Sequence, residues 1–269
     1  MRLWPGSRRN TIPLVRLSGT IGMGSTLRPG LSLASVEGAL DKAFSMKAPC
    51  VALAINSPGG SAAQSSLIYS RIRTLAEEKD RPVMAFVEDV AASGGYWLAA
   101  AADEIFADAT SIVGSIGVIT ATFGFTELID KIGVERRVYT VGKNKSVLDP
   151  FQPEQESDIE ILRSVQHDIH AAFVSAIKER RGTRLADDDD LFTGRFWGGR
   201  TGLALGLVDG LGSARAVLKE RYGKATRIKV VTPSKPSLLR GRLGLAAGLS
   251  PEELIGALRA EGQYERFGL

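Results

Sequence analysis

Cysteine occurs once in this 269-residue chain, histidine twice, and aromatic residues make up 7% of it. A lone cysteine excludes an intrachain disulfide. Cys50 follows Ala48-Pro49 and opens an apolar run, so it is expected as a small core residue and not as a nucleophile. The two histidines, His167 and His170, stand three apart in a long helical pattern, which puts them on one face. No third ligand accompanies them, so no metal is expected. A Ser-His-Asp triad would need that long helix to fold back onto its nucleophile. Long apolar runs are also missing. No window approaches 18 uncharged apolar residues, so no transmembrane helix is expected. Residues 1–22 lack both an apolar h-region and a small-residue cleavage site, which argues against a secretory signal. No long basic block interleaved with aromatics points to nucleic acid. The net charge is only +4. The pairs Arg8-Arg9, Arg136-Arg137 and Arg180-Arg181 are expected on the solvated surface. The acidic run 187–190 reads as a helix start, because four consecutive carboxylates cannot all face one ion.

What is present is an ordinary globular composition, 44% hydrophobic and 24% charged, with 30 glycines. Residues 12–18 (IPLVRLS) read as a strand and 32–45 as a helix opened by serine. The run 51–56 (VALAIN) is short and apolar throughout, as in a parallel strand covered on both faces. Ser57-Pro58-Gly59-Gly60 breaks it. A helix from about 62 to 79 follows, with Leu67, Ile68, Ile72 and Leu75 on one side. Residues 82–87 (PVMAFV) form another buried strand, Ser93-Gly94-Gly95 a break, 90–102 the most apolar helical stretch, and 104–106 a short strand. Further on, FTELIDKIG reads as a helix, ERRVYTVG as a strand, 142–153 as a loop and 154–181 as a long helix. Short helices at 199–206 and 213–222 and a strand at 226–232 complete the pattern. The spacing predicts an α/β fold with a mainly parallel sheet and flanking helices. Sites in such sheets collect at the carboxyl ends of strands, so the two Gly-Gly turns are candidates to face one cleft. The expected divisions are an N-terminal extension 1–11, a main domain 12–232, and a C-terminal extension 233–269 with a short helix at 250–261.

Ser93 is the candidate nucleophile. It falls at a sharp turn between a strand and a helix, where the helix dipole and free N–H groups favour developing negative charge. The Gly94 N–H is one oxyanion donor, and the Gly59-Gly60 turn offers a second because glycine permits close backbone approach. With histidine scarce, lysine is the other option for the base, and spacing alone leaves Lys143 and Lys145 both open. A lysine becomes a base near neutral pH only when desolvation lowers its pKa from about 10.4 to roughly 7–8.

Four stretches then carry a resemblance: Ile55-Asn56-Ser57-Pro58-Gly59-Gly60-Ser61, Ala91-Ala92-Ser93-Gly94-Gly95-Tyr96, Gly114-Ser115-Ile116-Gly117-Val118, and Lys145-Ser146 with Asp149-Pro150-Phe151 behind it. In order and spacing over residues 12–225, they resemble the SppA family of signal peptide peptidases (protease IV). Those are Ser/Lys serine peptidases on a ClpP/crotonase-type fold. The resemblance implies Ser93 as nucleophile, Lys145 as general base, Gly60 and Gly94 at the oxyanion hole, and Ser115 orienting the lysine amine. It implies no cofactor, extended hydrophobic or unfolded peptides as substrates, including signal peptide remnants, and a homo-oligomer with active sites near subunit interfaces, the lysine coming from either protomer. The sequence shows neither the N-terminal anchor many members carry nor the duplicated long form. A cytoplasmic protein is therefore expected, or one peripheral on the inner membrane. Two other readings compete: a crotonase-like acyl-CoA binder using the same oxyanion hole, with Glu88 and Asp89 as its acids, and an inactive scaffold, against which intact Ser93 and Lys145 argue.

Overall fold

The structure is a computed structural model and describes residues 10–22, 30–232 and 262–268. It comprises two compact units, one formed by residues up to Ile116 together with those from Val174 onward, the other by Gly117–Phe173.

The first unit holds the sheet. Its strands are β1 (Thr11–Ser18), β2 (Val51–Ser57), β3 (Val83–Ala92), β4 (Glu104–Ala107), β5 (Ile112–Gly114), β6 (Phe196–Gly198), β7 (Gly210–Leu211) and β8 (Arg227–Val231). The order is β6-β5-β3-β2-β1-β8, with β4 paired to β3 and β7. Every pairing is parallel except β5 with β6. β3 bonds to β4 along Met84–Val87 and to β5 along Val90–Ala92. The apolar runs behave as their composition demands: β2 and the first half of β3 are buried on both faces.

Helices α1 (Leu33–Ser45), α2 (Ala62–Glu78) and α3 (Gly94–Ala100) connect the central strands. Serines set their starts: Ser35 Oγ accepts from the Ser32 N–H at 2.9 Å, and Ser61 Oγ from the Gln64 N–H at 3.3 Å. One core layer gathers Ile12, Leu14, Cys50, Ala52, Ala54, Met84, Phe86 and Phe106 with Leu218 of the helix Ala214–Tyr222. Cys50 is thus a buried core residue, and burial pushes its thiol pKa up.

Four expectations need correction. Leu67 is 48% exposed; the buried face of α2 runs through Ser65, Ile68, Ile72, Leu75 and Ala76. β3 continues to Ala92, so the apolar helix is only Gly94–Ala100; its early residues bond to β5 as strand. Arg181 is not on the surface: its side chain is 1% exposed and donates to the Gly206 carbonyl and the Asp209 carboxylate, at 2.7 Å in each case. Its neighbour Arg180 donates to the Ala102 carbonyl and to Asp103. Partners on both sides offset the cost of burying the charge. The segment ERRVYTVG forms no strand. A β pattern needs a neighbouring strand, and its Tyr139 and Val141 stand 89% and 97% exposed. The expected helix at 250–261 and most of both terminal extensions lie outside the described residues.

The second unit contains a short helix, α4 (Thr126–Lys131), and most of α5 (Glu156–Arg181), whose last turns belong to the first unit. Its loop is ordered by Arg136, which pairs with Asp149 at 2.9 Å and lies over the Phe151 ring at 5.0 Å. Phe125 stacks obliquely on Phe151, and its N–H donates to the Pro150 carbonyl. The Asp158 carboxylate accepts from the Leu148 N–H at 2.9 Å.

Candidate active site

The junction of β3 and α3 has an unusual backbone. Ser93 adopts φ 52°, ψ −124°, a conformation L-residues rarely hold. Neighbours hold it there. Its N–H donates to the Gly114 carbonyl at 2.8 Å, and its carbonyl accepts from the Tyr96 and Trp97 N–H groups. Such a turn lifts the side chain off the strand at the head of a helix, and Ser93 stays partly exposed. The Gly94 and Gly95 N–H groups open α3 and have no acceptor within it.

The turn after β2 packs directly on this junction. A Cβ on Gly59 (φ +104°) would lie 2.8 Å from Ser93 Cβ and 2.9 Å from the Gly94 nitrogen. Gly60 (φ +139°) is bridged to Ile21, and a Cβ there would strike the Ile21 carbonyl. A Cβ on Gly94 would meet Ser65 Oγ, and one on Gly95 the Ser57 carbonyl. Gly59 and Gly95 thus stand where a side chain would wedge the β2 turn and the serine turn apart, while Gly60 and Gly94 are closed in by Ile21 and by Ser65 of α2. Ser115 is close by along the chain: it follows the Gly114 that bonds Ser93, is buried, has φ 53°, and donates its N–H to the Arg195 carbonyl.

Beneath the junction lies a buried polar anchor. Tyr96 is fully buried, and its hydroxyl donates to the Leu207 carbonyl at 2.7 Å. Burial pushes its phenol pKa up, so it remains a neutral donor. Nearby, burial works to raise the Asp209 carboxyl pKa, but the Arg181 guanidinium and the Ile105 N–H outweigh it and hold the carboxyl below its ordinary value.

Ser93, Gly60, Gly94 and Ser115 therefore belong to the first unit and, apart from the exposed edge at Gly60, form one packed neighbourhood. Lys145 belongs to the second. It sits in a turn where its N–H donates to the Gly142 carbonyl at 3.3 Å, and both it and Lys143 are exposed. Behind it, hydrogen bonds from Arg136 hold the Asp149 carboxyl below its ordinary pKa despite some desolvation. The acids of the crotonase-like reading are already engaged. Glu88 pairs with Arg16 at 3.1 Å, and Asp89 accepts from Asn56 Nδ2 at 2.5 Å. Among the described residues no cluster of three or more metal-ligating side chains occurs, and no helix is long and apolar enough to cross a membrane. Sequence reasoning missed Gly59 as the wall of the serine turn and Tyr96 as its anchor. The only signal was their place inside the two turn motifs.

A parallel α/β sheet presents here a strained serine between strand and helix, faced by a glycine turn, with helix-opening N–H groups beside its hydroxyl, the kind of arrangement acyl transfer uses. Residues 76–226, more than half of the chain, match the family described as peptidase family S49. The chain belongs to that family and is SppA-like within it. It is 33% identical over 252 residues to the chloroplastic serine protease SPPA of Arabidopsis thaliana, covering 87% of this chain and 36% of that protein. It is 32% identical over 216 residues to a putative protease of Synechocystis, covering 78% and 74%. A Brucella abortus protein named Na(+)/H(+) antiporter NhaA is 58% identical over 236 residues, covering 87% of this chain but 32% of that protein. The antiporter name belongs to that longer protein, and the matched stretch here carries the S49 signature. The chain spans about a third of the length of the Brucella and Arabidopsis relatives.

Proposed function

We propose that this chain is a serine peptidase that cleaves extended apolar or unfolded peptides through a Ser93/Lys145 dyad. The observation that carries this is the left-handed Ser93 at the head of α3, walled by the β2 glycine turn. Lys145 Nζ takes the proton as Ser93 Oγ bonds to the scissile carbonyl carbon. The oxyanion is met by the N–H groups of Gly94 and Gly60. The C–N bond then breaks, the lysine returns the proton to the leaving amine, and water hydrolyses the acyl-serine. Ser115 holds the amine in its accepting orientation. The domain carrying this chemistry is 12–232, with 1–11 and 233–269 as extensions.

The second unit supports an oligomer. Ile119, Phe123, Leu128, Ile132, Tyr139 and Val141 are each more than half exposed, an apolar set that a second protomer would cover. A homo-oligomer that covers it also dries the surroundings of Lys145, as a lowered lysine pKa requires. Signal peptide remnants fit the apolar substrate class, and a cytoplasmic or inner-membrane peripheral location fits with them.

The test is cleavage of an unfolded protein and an apolar signal-like peptide by wild type, Ser93→Ala, Lys145→Ala and Lys143→Ala. Loss in the first two variants with retained folding, and most activity kept in Lys143→Ala, is the expected result. Activity lost only in Lys143→Ala overturns the choice of base.

A further inference from the structure

Ser65 lies one turn into α2 and is fully buried. The buried face it opens continues through Ile68, Ile72 and Leu75, all apolar. Alanine at this position would form a better helix and would bury no polar atom. The hydroxyl is not needed to start the helix either. Ser61 caps α2 with its own side chain, and the Ser61 carbonyl already accepts the helical bond from the Ser65 N–H at 3.0 Å. The Ser65 hydroxyl donates to that same carbonyl a second time, at 2.8 Å.

Its use lies on the opposite side. A Cβ on Gly94 would collide with Ser65 Oγ and would come within 3.4 Å of Ser65 Cβ and 3.2 Å of Ile21 Cδ1. The hydroxyl therefore rests directly against the Gly94 backbone. Ser65 is also tied to the β2 turn. Both of its bonds end on the carbonyl of Ser61, the residue after Gly60, and the Ser61 N–H donates to the Ile21 carbonyl at 2.8 Å. Ser65 thus stands between the two glycines of the proposed oxyanion hole. It touches one directly and reaches the other through a single residue. Among the described residues neither glycine N–H has a protein acceptor. The Ser65 proton is turned toward Ser61 and away from Gly94, so this hydroxyl is a spacer and not a third donor.

We propose that Ser65 is a positioning residue that sets the distance between the Gly60 and Gly94 N–H groups, and with it the fit of the hole to a tetrahedral oxyanion. This rests on the peptidase reading and adds to it the part that fixes the width of the hole. Oxyanion donors act when they stand roughly 2.7–3.1 Å from the oxygen that takes the charge. Without the hydroxyl, the first turn of α3 settles toward α2 and the Gly94 N–H leaves that range. The planar carbonyl of an uncleaved peptide asks less of both donors, so substrate binding is spared while the transition state is not.

The test compares Ser65→Ala and Ser65→Cys with wild type in the full-length chain, on an apolar signal-like peptide. Ser65→Ala lowers kcat about tenfold or more with KM unchanged. Its thermal midpoint moves by less than about 4 °C. Ser65→Cys, whose sulfur refills the space, recovers most of kcat. The second readout is inhibition by a peptide aldehyde of the same sequence. Ser93 Oγ bonds to the aldehyde carbon, the hydroxyl proton passes to Lys145 Nζ, and the former carbonyl oxygen enters the hole as the oxyanion. In Ser65→Ala the inhibition constant rises by about the factor that kcat falls. The matching peptide alcohol forms no adduct and binds wild type and variant alike. Equal aldehyde affinity in both, or a loss in Ser65→Cys as large as in Ser65→Ala, overturns the spacer role. A raised KM with unchanged kcat overturns it too, since Ser65 would then shape substrate binding. A wild type that neither cleaves the peptide nor forms the adduct refutes the peptidase reading, and the spacer role falls with it. A wild type that does both, matched by Ser65→Ala, refutes this inference alone.

Discussion

Replacing Gly59 by alanine isolates what the β2 turn does for Ser93, the proposed nucleophile. Gly59 has φ +104°, and its added Cβ would stand 2.8 Å from Ser93 Cβ and 2.9 Å from both the Ala92 carbonyl oxygen and the Gly94 nitrogen. Holding an L-residue in that backbone region costs about 1–3 kcal/mol. Overpacking adds about 1–3 kcal/mol, since two of the three neighbours are backbone. Partial relaxation brings the sum to about 3 kcal/mol, or roughly 6–12 °C in Tm for a domain of this size. The relaxation is the informative part. Ordinary contact begins at 3.4 Å, so the serine turn must yield by about 0.6 Å from 2.8 Å. Shifts of about 1 Å at a reacting group cost on the order of 100-fold, so kcat should fall at least tenfold with KM little changed. Gly38→Ala serves as the control. Gly38 lies in α1 with nothing within 4 Å of an added Cβ, and alanine there should stabilise by about 0.5–1 kcal/mol and leave activity alone. A Gly59→Ala enzyme with wild-type kcat and Tm would refute the idea that this turn walls the nucleophile.

A lysine base works only when deprotonated, so kcat/KM should rise from pH 6 to pH 9; a flat profile would exclude it. Arg181→Met strands the Asp209 carboxylate, which keeps only Arg184 and the Ile105 N–H. Thermal denaturation should show a loss of about 3 kcal/mol. The pH dependence has a definite sign. Asp209 is held below its ordinary 3.8 in the folded state, so its stabilisation is present above about pH 3.8 and is lost as pH falls through the lowered folded value. Arg181→Met should therefore show a shallower acid limb than wild type in denaturation curves taken from pH 5 to pH 2. Tyr96→Phe leaves the Leu207 carbonyl without its donor at the same volume. About 1–2 kcal/mol should be lost in a denaturant titration.

The sheet was legible where strands are continuous apolar runs. Val51–Ser57 and the first half of Val83–Ala92 advertise burial on both faces, and serines mark the helix starts at Leu33, Ala62 and Ala214. Strands Ile112–Gly114 and Phe196–Gly198 escaped because three residues carry no periodicity. Residues 135–142 have the composition of a strand, but composition cannot supply a partner to pair with. The pair Arg180-Arg181 shows the limit of charge as a surface signal, since the acids and carbonyls that make burial tolerable come from residues 100–103 and 206–209. At the site, Ser93 and the Gly-Gly turns were visible because strand-turn-helix chemistry needs them adjacent in sequence.

The forked pairing of β3 has a dynamic consequence. Its first half bonds to β2 and β4, its second to β2 and β5, and the Ser93 N–H extends the last ladder to Gly114. Only Glu88 and Asp89, where the register with β2 shifts, lack a strand partner on either side, and amides paired on both sides exchange through rarer, wider openings than those of loops. Ser93 is therefore mounted at the tip of a strand whose last residues are held by β2 and β5. For the proposed peptidase this means that the attacking oxygen keeps its place while less densely paired segments yield.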